Sequence, residues 1–216
     1  MVGVRAKDHD DKRQLILDRA AELFARQGYH KTSISEIAKA CNVTSKAWIY
    51  HYFPNKDAML VTLLSEVVEA LTKRAHAAIA QAATPQARLR AFLLTCLQVY
   101  DEYRLNYPTL FTEMGSLPEE SQEQIRAAER RCTLLLHGIV VEINPEIASR
   151  RRQSMALTML AFGTVNWTYT WFQASGPLTL EAVADMATQM LIGGIASVPG
   201  GAGLSPPAHD RRASAK

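Results

Sequence analysis

Between Thr44 and Lys56 the chain reads TSKAWIYHYFPNK. Thr44, Ser45, Lys46, Tyr50, His51 and Lys56 can hydrogen-bond to phosphates and base edges. Ala47 and the rings of Trp48, Tyr52 and Phe53 can pack on sugars or methyls, or anchor a helix to a core. A fully buried helix would not carry Lys46. A solvated face would not carry four aromatic rings so close together. The chemistry implied is contact with a polyanion. Residue by residue there is a blander reading: Phe53 and Tyr50 as core packing, His51 as a solvated histidine, Lys46 and Lys56 as ordinary surface lysines. Only their shared spacing favours a binding surface.

No rival chemistry appears elsewhere. The chain lacks G-x-S-x-G, H-E-x-x-H, a P-loop and G-x-G-x-x-G. Its histidines, at 9, 30, 51, 76, 137 and 209, never take metal-ligand spacing, and no cofactor or metal is expected. Cys41, Cys96 and Cys132 are far apart and form no C-x-x-C pair, which fits a reducing compartment. The polar start MVGVRAKDHDDKR has no apolar core of a signal peptide, and no apolar run is long enough to span a bilayer. The expected setting is the cytoplasm. Residues 1–60 hold ten Lys/Arg against seven Asp/Glu, so the whole formal excess of +3 lies in that first quarter. That placement leans towards a polyanion there.

The elements that must position these residues read as helices throughout. Leu15, Ile16, Ala20, Leu23 and Phe24 share a face over Lys12 to Gln27, and Gly28 can end that helix. Ser33 and Glu36 have capping-box spacing before a short helix to Cys41, with Thr32 as an alternative cap. A third short helix spans about 45–52 and stops before Pro54. Asn55 can cap a long fourth helix, striped by Met59, Leu60, Leu63, Leu64, Val67, Val68 and Leu71. Further helices are expected over about 85–106, 109–114, 118–143, 146–174 and 179–195, about nine in all. The glycine- and proline-rich end from 197 reads as disordered. Three short helices joined by tight turns make a helix-turn-helix unit, whose third helix would read DNA. The layout is therefore a flexible N-terminus over 1–11, a DNA-binding unit over 12–57, a helical domain over 58–196 and a tail over 197–216.

At AAELFARQGYHKTSISEIAKACNV followed by SKAWIYHYFPNKDAML the sequence resembles the TetR family of bacterial transcriptional regulators. The likeness covers about residues 12–64. It implies an all-α fold: an N-terminal helix-turn-helix unit and a C-terminal bundle for ligand binding and dimerisation. It also implies roles. Thr32 matches a position that commonly touches phosphate. Ser45 and Lys46 match the opening of the recognition helix, with Ala47 and Trp48 at its base-facing positions. Tyr50, His51 and Tyr52 match a Tyr-Tyr-His cluster with the last two exchanged, and Lys56 matches a lysine that reaches the DNA backbone. Between Ile37 and Tyr50 this chain is one residue longer than the family pattern, with Thr44 as the insertion.

The expected function is a homodimeric, ligand-responsive regulator of a double-stranded DNA operator, most simply a repressor. The alternatives are an all-helical small-molecule-binding protein or an enzyme without DNA function. The expected effector pocket lies among the helices of the second domain, lined by Phe92, Tyr103, Tyr107, Phe111, Met114, Phe162, Asn166 and Trp167. Arg104 and His137 are expected to offset an acidic group. The effector would be an aromatic or fatty acyl compound, or its coenzyme A thioester. The same side chains can instead simply fill the bundle.

Overall fold

The computed structural model describes residues 2–104 and 112–200, with side chains from Lys7 onward. Helix α1 (Val2–Gln27) ends at Gly28, whose φ of 88° is open to glycine and whose N–H bonds to the Phe24 carbonyl at 2.9 Å. The helix begins well before Lys12, so residues expected to be a flexible N-terminus are helical. No apolar stripe announces this stretch. It is held by a Lys12–Asp8 ion pair of 2.6 Å and by the His9 ring, whose centroid lies 4.8 Å from that of Tyr52.

Helix α2 (Ile34–Ala40) starts in a complete capping box: the Glu36 N–H donates to Ser33 Oγ, and the Ser33 N–H donates back to the Glu36 carboxylate. Ser33, not Thr32, is the cap. The helix closes through Asn42 at φ 58°, with Asn42 N–H on the Lys39 carbonyl and Val43 N–H on that of Ala38. This paired closure turns the chain sharply into α3 (Lys46–Tyr50). Five residues cannot sustain a helix alone. Burial of Ile49 and Phe53 in the core holds α3 in place.

Helix α4 (Lys56–Ala80) is capped by Asn55 Oδ1, which accepts from the Ala58 N–H at 2.7 Å. Thr84 caps α5 (Pro85–Glu102), with Pro85 in its first turn. A 3-10 turn at Met114–Ser116 precedes α6 (Glu119–Ile143). Residues 109–111 of the short helix expected at about 109–114 lie outside the described residues. The long helix expected over 146–174 is instead three pieces: a 3-10 turn (Pro145–Ile147), α7 (Arg151–Asn166) and a second 3-10 turn (Trp167–Thr170). Arg150, at φ −107° and ψ 66°, departs from helical geometry and separates the first two. Thr179 caps α8 (Leu180–Ser197).

Among the described residues eight α-helices share one continuous core, from Ile16 in α1 to Ile195 in α8. Helix α4 packs on α1 at one end and on α5 and α6 along its body. Helix α5 meets α8, α6 meets α7, and α7 meets α8. Among the described residues there is no strand, and no helix is long and apolar enough to cross a membrane.

Candidate nucleic-acid interface and ligand cavity

The surface of the first unit is built around α3. Thr44, Ser45, Lys46, Ala47, Tyr50 and His51 are exposed, with Tyr50 at 50% exposure. Most of these exposed residues are hydrogen-bond donors on or beside a helix, the element a major groove admits. Trp48 and Tyr52 are half-buried, their rings 5.2 Å apart, and Tyr52 also packs against His51 and His9. Both rings thus brace α3 as well as flanking its outer face.

Two expected phosphate contacts are turned inward. Thr32 is only 2% exposed; its hydroxyl donates to the Gly28 carbonyl at 2.9 Å and accepts from Gln27 Nε2 at 3.3 Å. Lys56 Nζ donates to the carbonyls of Tyr29 and Thr32, at 2.8 and 2.9 Å, and sits 4.2 Å from the Tyr29 ring centroid. The Tyr29 hydroxyl donates to Asp57, and burial followed by that bond pushes its pKa up. Lys56, Asp57 and Tyr29 therefore lock the loop before α2 to the start of α4. Beside them, His30 Nε2 lies 3.0 Å from Ser116 Oγ and 3.6 Å from the Glu113 carboxylate, which joins this loop to the second domain.

In the second domain a cavity of about 200 Å³ opens among four helices. Val67, Val68 and Leu71 line it from α4, Tyr100 from α5, Glu129, Cys132 and Thr133 from α6, and Met159, Phe162 and Asn166 from α7. Its walls are mainly apolar, and a few polar groups converge on it, as in small-molecule sites. The Tyr100 hydroxyl donates to Asn166 Oδ1 at 2.6 Å, which leaves the Asn166 NH₂ as the donor this carboxamide offers a ligand. Burial pushes the Cys132 thiol up to about 12 and raises the Glu129 carboxyl above its ordinary range.

Two family models match in succession. Residues 16–63 fit the bacterial regulatory proteins of the tetR family, and residues 82–195 fit the tetracyclin repressor-like C-terminal domain. This chain belongs to the TetR family of transcriptional regulators. Its structure superposes on a TetR-family transcriptional regulator from Bordetella parapertussis 12822 with a TM-score of 0.78 and 34% identity, covering 83% of this chain and 93% of that one. It also superposes on AibR, solved in complex with isovaleryl coenzyme A and operator DNA, with a TM-score of 0.72 and 27% identity over 84% of this chain and 98% of that one. The fatty acid metabolism regulator protein of Bacillus subtilis (strain 168) is 28% identical over 193 residues, 88% of this chain and 98% of its own.

Within this TetR-family regulator the expected ligand residues separate. Phe162 and Asn166 line the cavity, and Phe92 stands behind Phe162 with ring centroids 5.8 Å apart. Trp167 does not reach it: α7 ends at Asn166, and the following turn leaves the indole 65% exposed. Nor does His137, whose ring lies 3.0 Å from Ser154 Oγ on the neighbouring helix. Arg104 lines a separate shallow cleft with Tyr100, Asp101 and Tyr169. Tyr103 and Met114 pack against the core outside the cavity wall. Tyr107 and Phe111 lie outside the described residues. The basic pair expected to offset an acidic ligand is thus not at the cavity, and a carboxylate, Glu129, is. That residue had a legible signal: it lies four residues beyond Ile125 and three before Cys132, on the edge of the buried stripe of α6.

Proposed function

We propose that this regulator is a homodimeric repressor whose two α3 helices occupy half-sites of a DNA operator, and that an acyl compound, as its coenzyme A thioester, enters the cavity and releases it. The observation that carries this reading is the course of α4. Its first residue, Lys56, holds the loop before α2, and Val67, Val68 and Leu71 of the same helix line the cavity. Eleven residues separate Lys56 from Val67, about 16 Å along a rigid helix. A ligand that displaces those three side chains moves the lever that orients the DNA unit. In a dimer such a movement changes the spacing of two half-site readers that must sit about 34 Å apart.

The direct DNA contacts in this account are Thr44, Ser45, Lys46, Ala47, Tyr50 and His51. Trp48 and Tyr52 flank them, and Thr32 and Lys56 shape the loop that presents them. The dimer seam in this reading is formed by α7, the turn that follows it and α8, where Leu160, Trp167, Trp171, Met186 and Met190 are each exposed. Apolar side chains of this size on one side of a molecule favour a partner surface. AibR, with its isovaleryl coenzyme A and operator DNA, and the Bacillus fatty acid regulator support the acyl class. The reading makes the protein a non-enzymatic cytoplasmic regulator. A gel shift on the DNA upstream of its own gene tests it. Retarded DNA freed by medium-chain acyl coenzyme A is the expected result, and no binding with or without acyl coenzyme A would overturn it.

A further inference from the structure

We infer that Glu129 makes the cavity selective for effectors whose buried end is neutral and bars free carboxylates from it. This rests on the effector reading of the cavity given above. Glu129 faces the cavity from α6 beside Cys132 and Thr133. Its backbone carbonyl accepts from the Thr133 hydroxyl, but among the described residues its carboxylate has no hydrogen bond and no ion pair. Arg126, the base whose charge acts on it, lies on the same helix and is exposed, its guanidinium bonded to Gln122 at 2.8 Å. The other walls of the cavity that Glu129 faces carry Val67, Val68 and Leu71 from α4, Tyr100 from α5, and Met159, Phe162 and Asn166 from α7. None of these carries a charge. Among the described residues the cavity therefore presents one carboxylate and no cation to balance a second.

A partly buried carboxylate without partners is costly, and a like charge brought beside it adds to that cost. Taken as a sphere, the cavity is about 7 Å across, so any carboxylate inside lies within about 10 Å of Glu129. At an effective dielectric of about 20, repulsion at that range corresponds to roughly tenfold to a hundredfold in affinity. A thioester or an alcohol escapes this penalty. The carbonyl of a thioester also suits the Asn166 NH₂, whose carboxamide oxygen is already taken by Tyr100. The same acyl chain is therefore accepted as a thioester and refused as the free acid, so the regulator reports activated acyl groups rather than the acid from which they are made.

The test uses the full-length protein and three probes that share one tail: octanoyl coenzyme A, 1-octanol and octanoate. Their dissociation constants are measured by calorimetry at pH 8 for wild type, Glu129→Gln and Glu129→Leu, with circular dichroism to verify folding. Gln keeps the shape and hydrogen-bonding capacity, and Leu removes both, so the two variants separate charge from packing. In the wild type, octanoate is expected to bind at least tenfold more weakly than 1-octanol. Glu129→Gln should bring the two within about threefold, the ratio of octanoate to 1-octanol being the readout. If octanoate stays equally disfavoured in both folded variants, or already matches 1-octanol in the wild type, while octanoyl coenzyme A binds, the role of Glu129 is overturned and the effector reading stands. If neither octanoyl coenzyme A nor 1-octanol binds the wild type, the effector reading falls and this inference with it.

Discussion

Lys56 offers the sharpest contrast between a family expectation and the observed geometry. The expectation is a phosphate contact; the structure gives Nζ two backbone carbonyls at 2.8 and 2.9 Å and the face of Tyr29. Replacing Lys56 with Met keeps the aliphatic stem and deletes the ammonium. A hydrogen bond from a charged donor contributes a net ~1.5–3 kcal/mol, but these groups are half-exposed and water can replace part of the loss. The ring contact adds ~0.5–1 kcal/mol. The loop and α2 should therefore open more easily by about 2–3 kcal/mol, which is roughly 30- to 150-fold faster amide exchange from Tyr29 to Ile37. Native-state hydrogen exchange, read amide by amide, measures this. DNA affinity should fall as well, because the exposed side of α3 loses its support, while the salt slope of binding stays nearly constant. Unchanged exchange together with a slope reduced by about 0.9 would show that Lys56 is a phosphate contact and that the brace is wrong.

The remaining predictions concern the turn, the seam and the cavity. Gly28→Ala should destabilise the chain by about 1–2 kcal/mol in urea titrations, because a φ of 88° strains an L-residue and no neighbour within 4 Å adds a clash. Met190→Asp places a charge among the exposed apolar side chains of α8 and should shift sedimentation from dimer to monomer; an unchanged dimer would move the seam elsewhere. Burial raises the folded-state pKa of Glu129 above its ordinary 4.5, so the folded form holds this proton more tightly, and the associated stability is lost as pH rises from 4.5 through the raised value. Glu129→Gln should therefore be more stable than wild type at pH 8 and equal to it near pH 4, as urea midpoints at the two pH values will report. His30→Ala or Glu113→Ala should leave operator affinity nearly intact but reduce the effect of the acyl compound on it, since this pair joins the loop before α2 to the second domain.

Much of the first unit was legible because its signals are local. Gly28, the Ser33–Glu36 box and the Asn55 cap each act within four residues, and each appears in the structure where it was read. The start of α1 was not legible. Its polar first turns are held by His9 against Tyr52, more than forty positions away in sequence. The direction of a long side chain was hidden for the same reason. Lys56 and Thr32 sit where family members touch DNA, but their partners here are carbonyls of a loop whose path depends on the whole unit. At the cavity the expected lining rested on aromatic residues, Trp167 among them. The helix ends one residue earlier, at Asn166, which turns the indole out to the surface. The polar residue that matters most there, Glu129, sits on the edge of an apolar stripe, where a sequence reader assigns a carboxylate to solvent.

The central claim is that one lever, α4, couples the cavity to the DNA-reading surface. Coupling between two binding equilibria is reciprocal, so the factor by which a ligand weakens DNA binding must equal the factor by which DNA weakens ligand binding. The most direct measurement is the dissociation constant of octanoyl coenzyme A with and without saturating operator, set beside that of the operator with and without saturating octanoyl coenzyme A. The account predicts two equal factors, each of roughly 5- to 150-fold, and predicts that both shrink together in Asn166→Ala. Octanoyl coenzyme A that binds with the same affinity whether or not operator is present would contradict it.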